Sequence, residues 1–464
     1  GWTLITARNW VESGVYGIRL GDTWVTASAM SQPLGASFLV ALSFKLFGVG
    51  LFQARMVMSL ITVATLGLIF GITEKLYSKK SAWLAIFAIL ALAPLPSLQV
   101  LFVGREALGE IPMLFYLLAG YFFYAKAIET EASPKYIFLT ALFWGLGIAT
   151  KKQALPFWGA SVALPFLLAL YHKEKSVLRV LLISGVGAAI IAGGLLFYEA
   201  HLHSQTLPYG EAITAQLYQM AVWTTEPAIR KFALLLFAFT GLTSTLALLV
   251  RIPNLLSLRE KKTLNANQWL ELSLFVFVTS WLAWFLLGSL GWLRYYLPPH
   301  LIAAIFVGKL FEQWILNANL KRSTFWQKTV FFTIIALILY GFSTNIVAFR
   351  SATKYTDNSL RQLKSYLAEN ISTESIIESY ESELFFLLPE YSFHFPPHST
   401  QLELNHRDLF DPTAEISYSP FDGDFDYLIT GGIETRWQLY KPDIDVENLI
   451  LLRDFGDYQL YQHK

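Results

Sequence analysis

The sequence predicts an α-helical polytopic membrane protein with a C-terminal soluble α/β domain. Apolar residues make up 54% of the 464 and charged residues only 15%, against about 25% charged in ordinary soluble domains. Mean hydropathy is +0.45. Ten stretches are long and apolar enough to be read as crossings, which need about 20 residues each. They lie near 54–76, 82–102, 111–127, 135–150, 154–171, 178–198, 231–250, 268–289, 297–316 and 329–348. The fourth and fifth are short and separated only by Thr150, Lys151, Lys152 and Gln153.

Basic residues then orient the chain. Lys75, Lys79 and Lys80, His172, Lys173, Lys175 and Arg179, Arg251, Arg259, Lys261 and Lys262, and Lys321, Arg322 and Lys328 fall on alternate connections. That side is expected to be cytoplasmic, in a plasma or inner membrane. The opposite face carries residues 1–53, the Gly104–Pro112 turn, Lys151/Lys152, the 199–230 loop, Arg294 and everything after Arg350. The chain opens at Gly1 with no Met, signal peptide or first hydrophobic span, so one more span is expected upstream.

Three regions follow. Residues 1–53 read as a first external loop with two interfacial amphipathic helices, one over Ile5–Ser13 with Trp2, Ile5 and Trp10 beside Arg8 and Glu12, the other over Pro33–Phe47. Residues 54–349 are the transmembrane domain. Residues 350–464 read as the soluble domain, with a leading helix around Asn358–Glu369 and strands at Ser375–Tyr380, Leu384–Leu388, Tyr427–Ile429, Leu449–Leu452 and Tyr458–Tyr461. Acidic residues there outnumber basic ones roughly two to one, which argues against nucleic acid or anionic lipid as partner.

Chemistry is narrowed by what is missing. There is no cysteine, hence no disulfide, thiolate metal site or thiol nucleophile. No phosphate-cradling glycine loop, nucleophile elbow or paired-His helix motif occurs. His201 and His203 form a His-x-His pair that binds no metal without further ligands. What remains is Arg105, Glu106, Glu110, Lys151, Lys152 and Arg294, all on one membrane face. Singly, each reads as an interfacial anchor or a snorkelling cation. Together they suit a phosphate-bearing ligand beside a proton-transfer or metal-binding carboxylate, the needs of a lipid-linked phosphosugar.

With those residues in view, 1–350 resembles the GT-C membrane glycosyltransferases of the protein O-mannosyltransferase and aminoarabinose transferase branch. The resemblance runs through Ala7-Arg8-Asn9-Trp10-Val11-Glu12-Ser13-Gly14, Gln32-Pro33-Leu34, Ala41 through Gly48 and Ala54-Arg55. It continues with Gly104-Arg105, Gly109-Glu110-Ile111-Pro112, Gly147 to Lys151 and Arg294-Tyr295-Tyr296-Leu297-Pro298. No single motif is specific; their order is. The resemblance implies sugar transfer from a polyprenyl-phosphate donor to a hydroxyl of a lipid, glycan or protein acceptor, on the extracytoplasmic face and with inversion. It implies Glu110 as the second acid of the site, for acceptor orientation or metal coordination. Arg105, Lys151 and Arg294, with Lys152 beside them, are assigned to the donor phosphate. The family's principal Asp would fall upstream of Gly1; Asp22 does not match its context. No cofactor is called, and a divalent metal is left open. The competing classes are a secondary transporter, whose charges belong near the midplane of broken helices, and a non-catalytic scaffold acting through 350–464.

Overall fold

A computed structural model describes residues 2–464 apart from 21–22, 27–33, 94, 206–222, 317–323, 355–357, 398–399, 401–402, 405, 408–410, 412 and 441–448. Asp22, Gln32-Pro33 and Lys321/Arg322 lie outside the described residues. The chain is mostly helical, at 73%, and divides into two compact units. One joins Gly1–Gln32, Leu202–Tyr209 and Thr353–Lys464; the other joins Pro33–His201 and Gly210–Ala352. The 1–53 region therefore does not stay together: its first helix groups with the C-terminal residues and its second with the long helices.

The larger unit contains α2 (Leu34–Phe47), α3 (Leu51–Leu76), α4 (Lys79–Ala91), the short α5 (Val100–Val103), α6 (Glu110–Glu129), α7 (Pro134–Thr150), α8 (Leu155–His172) and α9 (Lys175–His203, to His201). It continues with α10 (Pro227–Thr240), α11 (Leu242–Leu256), α12 (Ala266–Leu287), α13 (Leu293–Phe311) and α14 (Phe325–Lys354, to Ala352). Starts and ends follow local chemistry. Ser78 caps α4 by accepting from the Ser81 amide, and Asn265 with Gln268 forms a capping box on α12. Proline occupies the first turns of α7 and α10, where its missing N–H is not needed.

Among the described residues, six helices are long and apolar enough to cross a membrane, or seven if a bent pair counts as one. The expected ten stand corrected to that extent, and the departures have causes. The 82–102 stretch is helical only to Ala91: the sequence then runs Pro94-Leu95-Pro96, and proline has no N–H to give a helical turn and disfavours helical backbone at the residue before it. A 3-10 turn (Pro96–Leu98) and α5 follow. The carbonyl of Leu90, near the break, accepts from Gln99 Nε2 at 3.0 Å and Asn345 Nδ2 at 2.7 Å, so amide side chains replace the lost helical donors. The 231–250 stretch breaks at Gly241, where α10 and α11 meet at 79°. The α7 helix is 17 residues long and α4 13.

Close packing relies on small residues. A Cβ on Gly308 of α13 would stand 2.2 Å from the Ser81 carbonyl oxygen and 2.9 Å from the Ala85 amide nitrogen, both backbone atoms of α4. Away from the polar rim, a buried aromatic layer fills the centre: Trp144 on Trp158 at 5.7 Å, Phe157 on Trp281 at 4.5 Å and Tyr121 on Phe277 at 6.0 Å. The ends of α3, α6 and α13 that lie far from residues 104–110 are tied by charge. Glu271 accepts from Tyr77 Oη at 2.7 Å and Arg251 Nε at 2.8 Å. Glu312 accepts from Ser78 at 2.8 Å and Lys309 at 3.1 Å, and Lys75 pairs with Glu129.

In the smaller unit, α1 (Trp2–Ser13) and a hairpin of β1 (Gly17–Leu20) and β2 (Thr23–Thr26) accompany a five-stranded sheet. The sheet comprises β3 (Ile376–Ser379), β4 (Ser392–His394), β5 (Tyr427–Thr430), β6 (Leu449–Asp454) and β7 (Gln459–His463), ordered β4-β3-β5-β7-β6. The first three run parallel and β7 pairs antiparallel with both of its neighbours. Helix α15 (Ser359–Asn370) precedes the sheet. Leu384–Leu388, read as a strand, is instead the helical turn α16 (Leu384–Leu387), and β4 went unpredicted. Trp2 of α1 packs on Phe385 at 5.7 Å and Phe395 at 4.8 Å.

A wholly buried carboxylate sits under this sheet. Glu378 accepts from Tyr418 Oη at 2.8 Å and Tyr440 Oη at 2.6 Å and contacts His394 Nδ1. The hydrogen bond to Glu378 raises the His394 pKa above its ordinary value, against the opposing effect of burial. Folding thus favours the imidazolium. Its stabilisation is complete below the free histidine value of about 6.5 and is lost as pH rises through the higher folded pKa. His394→Gln should remove that step from thermal melts of the full chain taken between pH 5 and 9. In the larger unit, Gly308→Ala should destabilise by about 1–3 kcal/mol, read as a lower melting temperature in detergent.

Candidate functional site

The Gly104–Pro112 turn is built by close approach to α3. Thr62 Oγ1 donates to the Gly104 carbonyl at 2.8 Å, and a Cβ at residue 104 would lie 2.7 Å from that hydroxyl oxygen. Glycine is required there by space. The turn ends as Gly109 leads into α6, whose first residue is Glu110 and third is Pro112. A carboxylate in the first turn faces the positive end of the helix dipole. Glu110 is nonetheless only 1% exposed, so a dipole alone does not keep its charge. Lys151, the residue after α7, supplies the rest: its Nζ is ion-paired with Glu110 Oε1.

Lys151 lies in extended backbone between α7 and a 3-10 turn (Lys152–Ala154). Its ammonium also faces the Tyr295 ring, 5.5 Å from the centroid. Gln153 Nε2 donates to Tyr295 Oη at 3.3 Å, and Trp281 Nε1 donates to the Tyr295 carbonyl at 2.8 Å. Tyr295 is thereby fixed, and with it the residue before it. Arg294 spreads its guanidinium over Trp292, 4.3 Å from the centroid, and Tyr295, 5.4 Å. Its charge acts on Glu110, yet its Nε is buried and has no hydrogen-bond partner among the described residues. Stacking on aromatic faces holds a guanidinium in place without consuming its donors. The site therefore combines a neutralised carboxylate–ammonium pair with a preplaced arginine that still has N–H groups to give.

The other assigned cations sit differently. Lys152 points away from Lys151 and pairs with Glu199 of α9 at 3.3 Å, with exposures of 5% and 2%. Arg105 is exposed and faces the Phe102 ring at 5.9 Å. Glu110, Lys151 and Arg294 are thus brought together with Tyr295 and Gln153. Lys152 and Arg105 instead take Glu199 and the Phe102 ring as partners. Sequence reading passed over Glu199, Gln153 and Tyr295. A signal for Glu199 existed, since it is the lone acid closing the apolar run Leu195-Leu196-Phe197-Tyr198. Among the described residues no group of three or more His, Asp or Glu could hold a metal ion. Glu110 faces an ammonium rather than a second oxygen donor, so this donor set does not fit one.

The arrangement has counterparts. Superposition on ArnT from Cupriavidus metallidurans bound to undecaprenyl phosphate gives a TM-score of 0.62 at 14% identity, covering 99% of this chain and 92% of that one. The chain has the GT-C fold. Residues 31–198 match the family model described as dolichyl-phosphate-mannose-protein mannosyltransferase. Archaeal oligosaccharyltransferase AglB from Archaeoglobus fulgidus, in complex with an inhibitory peptide and a dolichol-phosphate, superposes with a TM-score of 0.59 at 10% identity. That match covers 94% of this chain and 65% of AglB. No curated protein matches in sequence.

Breaking a buried pair from one side leaves an uncompensated charge, at a typical cost of about 3–5 kcal/mol, whereas removing both partners is often neutral. Lys151→Met should therefore destabilise the protein strongly. The double variant Lys151→Met/Glu110→Leu should recover most of that loss, a coupling readable as a double-mutant cycle of melting temperatures.

Proposed function

We propose that this chain is a membrane glycosyltransferase that moves a sugar from a polyprenyl-phosphate donor to an acceptor hydroxyl at the extracytoplasmic face, with inversion. One observation carries the reading: a buried carboxylate paired with one cation, beside an aromatic-stacked arginine whose Nε has no hydrogen-bond partner among the described residues. Phosphate is the ligand such an arginine serves best, through charge-assisted bonds from a rigid fork. The ArnT and AglB structures hold undecaprenyl phosphate and dolichol-phosphate, and this chain's donor is taken to be of that class. The positive loops 75–80, 172–179 and 251–262 support the cytoplasmic assignment of the other face.

In the proposed reaction the bond between the anomeric carbon and the phosphate oxygen breaks. The lipid phosphate leaves with the electron pair, and the acceptor oxygen bonds the same carbon from the opposite side. Arg294, with Lys151, balances charge accumulating on the departing phosphate. The hydroxyl proton passes to a general base as the new bond forms. Glu110 is already ion-paired with Lys151, and its role is to orient the acceptor hydroxyl. Arg105 and Lys152 stay outside the phosphate contacts in this reading.

In the full-length protein, Glu110→Gln should express normally and lose at least about 100-fold in transfer rate; wild-type-like turnover overturns the assignment. Arg294→Ala should raise the apparent donor KM by about 10–100-fold, as expected for one lost charge-assisted bond. An unchanged donor KM returns Arg294 to a membrane anchor.

A further inference from the structure

The pair formed by Lys152 and Glu199 has no part in the chemistry above, and its placement is costly. Glu199 is 1% exposed and lies in the last turns of α9 (Lys175–His203), where the helix dipole disfavours a carboxylate. Lys152 is 5% exposed. Buried ion pairs contribute little to stability compared with apolar residues of the same volume. What such a pair does supply is direction. Lys151 and Lys152 are consecutive, the first in extended backbone and the second opening the 3-10 turn from Lys152 to Ala154, and they take partners on different helices. One reaches Glu110 on α6, the other Glu199 on α9. The turn between α7 and α8 is thus staked to two different helices by two ion pairs.

We propose that Glu199 is a positioning residue of the candidate site. Acting through Lys152, it holds residues 151–154 so that the Lys151 ammonium stands on Glu110 and against Tyr295. Gln153, between the two lysines and Ala154, donates to Tyr295, so the same stake also sets the ring beneath Arg294. Removing Glu199 leaves Lys152 buried without this carboxylate. The turn then rotates to bring that ammonium towards water and withdraws Lys151 from its partner. This inference rests on the transfer reading for its kinetic part only.

Because the chain has no cysteine, distance and activity can be followed separately. In the E110C/K151C background, cross-linking by a short bifunctional thiol reagent that bridges the space left by the two long side chains should be efficient and should fall severalfold when Glu199→Gln is added. In the otherwise wild-type full-length enzyme, Glu199→Gln should lower kcat about 10–100-fold, the range for supporting residues that orient a site. The donor KM should stay within about threefold, because Arg294 keeps its closer stack on Trp292. Glu199→Asp should recover part of the rate. The apolar pair Lys152→Met/Glu199→Leu should melt at or above the wild-type temperature yet remain slow, which a merely structural pair would not do. Unchanged cross-linking and unchanged kcat in Glu199→Gln, with Glu110→Gln inactive, overturn the positioning role. Reduced cross-linking in a wild-type protein without transfer activity overturns the transfer reading and leaves the positioning role standing.

Discussion

Charge taken out of water must be met by opposite charge, and that constraint organises both ends of the membrane unit. Far from the Gly104–Pro112 turn, Glu271, Glu312 and Glu129 each collect donors from neighbouring helices. Those clusters are closed: carboxylates and cations answer one another, and they tie helix ends together. At the Glu110 end the pairing differs. Glu110 takes Lys151 and Glu199 takes Lys152, while Arg294 stacks on Trp292 and Tyr295 and, among the described residues, leaves its Nε without a hydrogen-bond partner. Helices fixed at one end by saturated networks and left at the other with a donor to spare form a scaffold suited to an anionic ligand.

Much of the fold was legible in apolar runs, since a bilayer leaves few alternatives to a helix. The sites of α3, α6, α8, α9, α12 and α14 follow from length and hydropathy alone. What was misread depends on single residues. Pro94 and Pro96 end α4 early, and Gly241 lets the 227–256 segment turn through 79°; neither changes average hydropathy enough to be visible in a window. Leu384–Leu388 is apolar and short, and periodicity does not separate a strand from a helical turn at that length. The first helix joining residues 353–464 rather than 33–53 is a tertiary choice, made by Trp2 and its aromatic partners.

The site was legible in part for a related reason. Residue type and expected side of the membrane select Arg105, Glu106, Glu110, Lys151, Lys152 and Arg294 alike, and the structure gathers Glu110, Lys151 and Arg294. Adjacent lysines look equivalent in sequence, yet the tight turn after Thr150 makes them face apart. Tyr295 and Gln153 carry no charge and so gave no signal, although they determine where the charges stand.

The break after Ala91 has a consequence for the last long helix. Residues 341, 345 and 349 of α14 lie four apart, on one stripe. Gly341 approaches Leu92, Asn345 bonds the Leu90 carbonyl and Gln99, and Phe349 stacks on Phe102 at 5.9 Å. Much of the remaining surface of α14 is exposed apolar side chain, which by itself gives no preferred rotation about the helix axis in lipid. The interrupted helix therefore acts as a key. A carbonyl that has lost its helical donor recognises one amide on one face of α14, so this helix can dock in a single azimuth.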